Sequence, residues 1–114
     1  MKEYLMLIRE NLDHYGKMTP QEMQDDIAQH VQWVEALVQN GNFKGGNPLT
    51  PAGKYVKGND KVITDGPYTE AKEGVSGFYF LLAHSLEEAT EIAKGCPSLQ
   101  VGGTVEIREI IQTE

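Results

Sequence analysis

Three apolar segments of the chain have the pattern of β-strands. Residues 3–9 form a short apolar run between charges, which predicts a buried strand. Residues 75–83 are apolar and rich in aromatic side chains, which predicts a central strand covered on both faces. Gly77 within that run predicts a bulge or a close backbone approach. Residues 104–111 alternate apolar and charged positions, which predicts a strand half open to solvent.

A long helix is predicted after the first strand. Thr19 and Glu22 have the spacing of a capping box, and Pro20 suits the first helical position. The helix is expected to run to about Asn40, with Gly41 as its left-handed stop. Its core stripe is expected to consist of five apolar residues: Met23, Ile27, Val31, Val34 and Val38.

His30 is predicted to lie at the edge of that buried face. It comes three residues after Ile27 and four before Val34, so it shares their side of the helix. A structural role, in which the ring donates to a nearby carbonyl or carboxylate, is the simpler alternative for a histidine in this position.

The remaining elements complete a mixed plan. Residues 43–49 predict a short strand, and residues 55–56 and 62–64 predict a hairpin closed by Gly58 and Asn59. Ser85 and Glu88 predict a second capping box, which opens a helix as far as Lys94. Residues 11–17 and 97–103 are expected to be loops.

The order of elements is βαββαβ with a hairpin inserted before the third main strand. This predicts one α+β domain with both helices on one face of the sheet. The other face needs a cover, and a second copy packed face to face is the expected one. Phe78, Tyr79 and Phe80 are expected near that cover.

Composition and charge exclude several classes of protein. The chain has 114 residues, which fits one domain, and a net charge of -7 argues against binding nucleic acid or an anionic membrane. Its single cysteine, Cys96, rules out an intrachain disulfide. The apolar N-terminal run is too short for a signal peptide or a membrane span, so a cytoplasmic location is expected.

Residues 65–74 form a polar turn between apolar runs, with Asp65, Tyr68, Glu70 and Lys72 among its members. Polar groups on a loop held by rigid elements are typical of binding and catalytic sites. The alternative is a plain turn in which Asp65 caps its own backbone and the other polar groups are solvated.

Several segments of the chain, taken together, resemble a known protein family. The matching segments are Asp65-Gly66-Pro67-Tyr68, then Glu70 and Lys72, Gly77-Phe78-Tyr79, Leu86-Glu87-Glu88-Ala89, Cys96-Pro97 and Gly103-Thr104-Val105-Glu106. Together they resemble the DGPF-type branch of the YCII-related proteins, over nearly the whole chain. Tyr68 stands where that branch usually has phenylalanine.

The resemblance implies a ferredoxin-like dimeric α+β barrel, and a His–Asp pair as the active site, carried here by His30 and Asp65. It implies a small aromatic or lactone-like substrate, since one relative is a dehydrochlorinase of a chlorinated hydroquinone and distant barrel relatives isomerise lactones. It also implies a rival role as a ligand-sensing or interaction module, because members of this branch are often linked to extracytoplasmic-function sigma factors.

The chemistry expected of this pair is proton transfer. A neutral imidazole accepts a proton near pH 7, and a carboxylate stabilises the resulting imidazolium. Four further residues are candidates for holding the ligand or supplying a second acid: Arg9, Tyr68, Glu70 and Lys72. No nucleophile system, glycine-rich phosphate loop or metal-ligand spacing is visible, so no cofactor and no metal are expected.

Overall fold

The computed structural model describes residues 1–66 and 73–113, apart from the side chain of Tyr15. Within these ranges there are six strands and three α-helices, together with a short 3₁₀ helix at Pro97–Val101. In chain order they are β1 (Lys2–Asn11), α1 (Leu12–Gly16), α2 (Pro20–Gln39), β2 (Phe43–Pro48), β3 (Gly53–Lys57), β4 (Val62–Gly66), β5 (Glu73–Ala83), α3 (Leu86–Ala93) and β6 (Thr104–Glu109). None of the described helices is both long enough and apolar enough to cross a membrane.

Four strands form the main sheet in the order β2-β5-β1-β6, and each neighbouring pair is antiparallel. Strands β3 and β4 form a separate two-stranded hairpin. Leaving the hairpin aside, this is the strand order of a ferredoxin-like fold. The predicted α+β class, with an antiparallel sheet and an inserted hairpin, is confirmed.

Alternation along the two central strands builds the core. On β1, Tyr4, Met6 and Ile8 are buried, while the residues between them are only partly covered. Tyr79 and Leu81 on β5 point to the same side, since Tyr4 lies opposite Leu81 and Met6 lies opposite Tyr79. A period of two is what a strand with one well-packed face requires.

The register between β1 and β5 shifts between Ile8 and Arg9, beside Gly77. A side chain at Gly77 would lie 3.3 Å from the backbone oxygen of Asn47. Both features predicted for Gly77, a bulge and a close backbone approach, are therefore present.

The start and end of α2 are also as predicted. The Thr19 hydroxyl accepts from the Glu22 amide, and the Glu22 carboxylate accepts from the Thr19 amide, each at 3.1 Å. Gly41 follows the helix with a φ of 76°, a conformation that glycine adopts without strain.

The predicted core stripe of α2 is wrong for three of its five residues, whereas Val34 packs against the core as predicted. Ile27, Val31 and Val38 are 45%, 49% and 55% exposed, and Leu37 is the buried residue of this helix. The reason is that α2 packs on β2 and on the 3₁₀ helix and leaves the middle of the sheet open beneath its apolar side. The stripe therefore lines a cavity instead of filling the core.

Three smaller expectations are corrected. Tyr79 was expected near the open face of the sheet, but the alternation of β5 buries it on the helical side. The predicted loop at residues 11–17 contains α1, and Asn11, just before this helix, accepts through its Oδ1 from the amides of Asp13 and His14. The predicted loop at residues 97–103 contains the 3₁₀ helix.

We expect Gly46→Ala to lower the free energy of unfolding by about 1–3 kcal/mol, the usual range for overpacking. A Cβ at this position of β2 would lie 2.9 Å from the Cα of Tyr79 and against the Phe78 carbonyl oxygen, so β5 has to move. Gly45→Ala is the matched control, because nothing lies within 4 Å of its Cβ position. Equal midpoints of urea unfolding for the two variants would contradict this packing.

Candidate functional site

A cavity of about 490 Å³ lies between α2 and the helical side of the sheet. Its walls are mainly apolar, with α2 on one side and β1, β2 and β5 on the other. The apolar lining includes Ile8, Ile27, Val31, Val34, Val38, Phe43 and Pro48. Such a hollow, with a few polar groups converging on it, is the usual form of a small-molecule site.

His30 is the central polar group of this cavity. Its Nδ1 lies 3.0 Å from the hydroxyl of Tyr79, and its Nε2 lies 3.1 Å from the hydroxyl of Ser98. Its side chain is 15% exposed. Three elements thus fix the ring: α2 carries it, and β5 and the 3₁₀ helix each supply a partner.

Both partners of His30 are hydroxyl groups, and a hydroxyl can donate or accept. A neutral imidazole needs one donor and one acceptor, whereas an imidazolium needs two acceptors. Tyr79 and Ser98 satisfy either form by turning their O–H bonds. The ring can therefore gain or lose a proton with its heavy-atom contacts intact, as an acid–base group must.

Two carboxylates face the same space. Asp26 Oδ1 lies 4.0 Å from His30 Nε2, one helical turn earlier on α2. Burial raises the pKa of Asp26, His30 opposes that shift, and the charge of Glu10 adds to it. Glu10 in turn accepts a hydrogen bond from the hydroxyl of Ser76, which is buried.

Tyr79 is held rigidly beside His30. Trp33 and Phe43 both meet its ring edge-on, with centroids 5.6 and 5.8 Å away. Burial, with smaller contributions from Cys96, Asp26 and Glu10, raises the pKa of Tyr79 to about 12. Its hydroxyl therefore stays protonated at neutral pH and remains available to His30 as donor or acceptor.

The charge of the lining restricts the ligand. Among the described residues around the cavity, Glu10, Asp26 and Glu35 are acidic, and none is a lysine or an arginine. The three carboxylates would repel an anionic ligand, and no lysine or arginine of the lining offsets them. Among the residues that the structure describes, no cluster of three or more His, Cys, Asp or Glu side chains is arranged to hold a metal ion.

The structure does not bring the predicted His30–Asp65 pair together. Asp65 lies on β4, its side chain is 89% exposed, and it forms an ion pair with Lys54 across the hairpin. It is not part of the cavity lining. The contacts of His30 go to Tyr79, Ser98 and Asp26 instead.

Arg9, another predicted site residue, is not part of the cavity lining. Arg9 donates to Glu106, which lies opposite Leu7, so the guanidinium points to the open face of the sheet. Tyr68, Glu70 and Lys72 lie outside the described residues, and their proposed contacts with a ligand stay predictions.

The polar residues of the cavity other than His30 were not predicted from the sequence, and they include Glu10, Asp26, Tyr79 and Ser98. Asp26 had a signal, since a residue four positions before a helical histidine shares its side of the helix. Tyr79 and Ser98 had none, because their approach to His30 depends on sheet order and on the turn after α3.

One comparison with known proteins gives a match. The family model of the YCII-related domain matches residues 2–114. No curated protein matches the chain.

Proposed function

Since the chain belongs to the YCII-related family, we propose that its α2 cavity binds a small neutral molecule and that His30 exchanges a proton with it. The observation that carries this proposal is the placement of His30 between two hydroxyl groups at the wall of an apolar cavity. The assignment to the DGPF-type branch stays a prediction.

The proposed proton transfer uses groups already in contact. A ligand proton, from an O–H or from a carbon beside a carbonyl, passes to the hydroxyl of Tyr79 or Ser98 while that hydroxyl gives its own proton to His30. Asp26, 4.0 Å from Nε2, stabilises the imidazolium that forms. The proton then returns to another ligand atom, as in an isomerase, or stays behind while a leaving group departs, as in a lyase.

The cavity favours a lactone or a phenol over an aromatic acid. Its walls are apolar, and its charged lining residues are acidic. A neutral molecule with one oxygen function meets the apolar walls without placing a negative charge beside Glu10 and Asp26. This narrows the aromatic or lactone-like class implied by the family resemblance.

The test is hydrogen–deuterium exchange into an unsaturated five-membered lactone, followed by NMR in D₂O. We expect the protein to accelerate exchange at carbon next to the carbonyl. His30→Gln should lower that rate by about 10²-fold or more, the usual contribution of a positioned acid–base group. His14→Gln is the matched control, since His14 is exposed on α1. Equal rates for both variants would contradict the proposal.

Asp26→Asn is expected to have opposite effects on the exchange rate and on the stability of the fold. Because burial raises the pKa of Asp26, its charged form destabilises the folded chain above the ordinary aspartate pKa. The amide should therefore raise the unfolding midpoint at pH 7 while lowering the exchange rate. Asp25→Asn, at an exposed position of the same helix, should change neither by much.

We also propose that the chain forms a homodimer through the open face of the main sheet. Leu5, Leu7, Phe78 and Phe80 lie on that face and are only half-buried in the single chain. The rings of Phe78 and Phe80 meet edge-on at 5.6 Å. Sedimentation at micromolar concentration should give twice the 12.7 kDa chain mass; a monomer would exclude this assembly.

A second candidate function is ligand sensing without turnover, linked to a sigma factor as the resemblance implies. One observation favours it: both nitrogens of His30 already have partners within the chain. If the lactone or a chlorinated hydroquinone shifts the NMR signals of His30 but undergoes no exchange or conversion, sensing is the better description.

A further inference from the structure

The hairpin formed by β3 and β4, called the arm here (residues 53–66), stands apart from the main sheet. Every residue of β3 is exposed. The radius of gyration is 15.4 Å, whereas a compact chain of this length would have about 13 Å. An isolated two-stranded hairpin is marginally stable in water, so the arm needs a surface to pack against.

One face of the arm is apolar at its centre. Val56 lies directly opposite Ile63, and cross-strand partners point to the same side. The two residues are 65% and 67% exposed, an unusual state for a paired valine and isoleucine. The neighbouring pair on this face is Lys54 with Asp65, while Val62 points to the opposite face.

Helix α2 offers a complementary surface. Ile27, Val31 and Val38 form an exposed apolar stripe along the rim of the cavity. The helix carries four carboxylates and no lysine or arginine, a formal charge of -4. The arm carries three lysines and two aspartates, a formal charge of +1, in a chain whose net charge is -7.

We propose that the arm of a second copy docks its Val56–Ile63 face on the apolar stripe of α2 and closes the cavity. The apolar side chains of the arm pack on those of the helix, and Lys54, which is on the same face of the arm as Val56, approaches the carboxylates of the helix. The contact is reciprocal in a two-fold dimer, so each copy closes the cavity of the other. This proposal concerns assembly and stands whether or not His30 is catalytic.

The test uses disulfide formation between copies. The only native cysteine, Cys96, is 2% exposed and gives little background. Ile63→Cys and Val31→Cys are prepared as separate chains, mixed and oxidised mildly. We expect a covalent dimer in the mixture and little in either chain alone. Val62→Cys mixed with Val31→Cys is the matched control, because Val62 is on the other face of the arm.

A charge substitution gives a second readout. Ile63→Asp places a carboxylate on the face that meets the acidic helix and should weaken dimerisation by at least tenfold. Val62→Asp should weaken it far less. Both positions are more than half exposed, so both variants should fold.

Three outcomes would overturn the proposal. One is a disulfide that forms only when both cysteines are in the same chain, which would make the arm a lid on its own cavity. Another is a dimer that forms normally but gives no disulfide in the mixture, which would leave the sheet face as its only contact. The third is a chain that stays monomeric at every concentration tested.

Discussion

Replacing Leu81 with alanine is expected to lower the free energy of unfolding by about 3–5 kcal/mol, the upper part of the range for buried leucines. Leu81 is fully buried on β5, in the middle of the main sheet and opposite Tyr4. Strands lie on both sides of it, so the surrounding side chains have little freedom to close the cavity that the substitution leaves. Urea unfolding at one fixed protein concentration measures the effect, since dimerisation would add to apparent stability.

Leu86→Ala is the control for this prediction. It makes the same change of side chain at the start of α3, where Leu86 is 47% exposed. The expected loss is within about 0.5 kcal/mol, because a half-exposed leucine gives up little burial and alanine favours the helix. Similar losses at Leu81 and Leu86 would mean that the core is not centred on β5.

Local sequence signals predicted the elements well, because each signal acts within a few residues. The capping box consists of hydrogen bonds between the side chains and backbone amides of Thr19 and Glu22, which are three residues apart. The φ of 76° at Gly41 is a property of one residue. The apolar run at residues 3–9 likewise predicted a strand, although the alternation of buried and partly covered positions along it was not predicted. These signals depend on residues close together in sequence, so they can be recognised without knowing the tertiary structure.

The apolar stripe of α2 shows where local signals fail. Spacing identified the residues that share a side of the helix, and Ile27, Val31 and Val38 do share one. Spacing could not tell how closely that side approaches the sheet. The distance is decided by the packing of α2 on β2 and the 3₁₀ helix, which involves residues far away in sequence.

The candidate site was predicted only in part, because the contacts of His30 also depend on residues far away in sequence. His30 was identified, and the structure places it in the cavity. Its expected partner, Asp65, was implied by the family resemblance, but Asp65 lies on the hairpin in an exposed ion pair with Lys54. The nearby carboxylate is Asp26, and the hydroxyl partners come from β5 and from the 3₁₀ helix.

The cavity and the arm both expose apolar side chains to water in the single chain. The apolar cavity has exposed valines at its rim, and the apolar side chains Val56 and Ile63 of the hairpin are mostly exposed in the single chain. Each surface alone is an unfavourable exposure. Water in the cavity would also weaken the interactions of Asp26 and His30 with a ligand, so a dry, closed cavity suits proton transfer better than an open one.

The alkaline stability of the chain is expected to depend on Tyr79. Its pKa is raised to about 12 in the folded chain, whereas an unfolded tyrosine ionises near 10. Below pH 10 both states hold the proton. Between about pH 10 and 12 only the unfolded state loses it, so stability falls with rising pH across this window. Two units correspond to a loss of about 2–3 kcal/mol in the free energy of unfolding.

Tyr79→Phe should remove most of this alkaline loss. The variant starts from a lower stability at pH 7, by about 1 kcal/mol, because Nδ1 of His30 loses its hydroxyl partner. Its unfolding curve should then be flatter than that of the native chain between pH 10 and 12. Some slope should remain, since burial also raises the pKa of Tyr4.

The measurement combines urea unfolding at several alkaline pH values with the ultraviolet absorbance of tyrosinate in the folded protein. In the native chain Tyr79 and Tyr4 should both ionise after the exposed tyrosines, and the number of late-ionising tyrosines should fall by one in Tyr79→Phe. If the two chains lose stability in parallel between pH 10 and 12, Tyr79 is ionising at its ordinary pKa. The hydroxyl beside His30 would then be in contact with water, and the closed, low-dielectric site proposed for proton transfer would lose its main physical support.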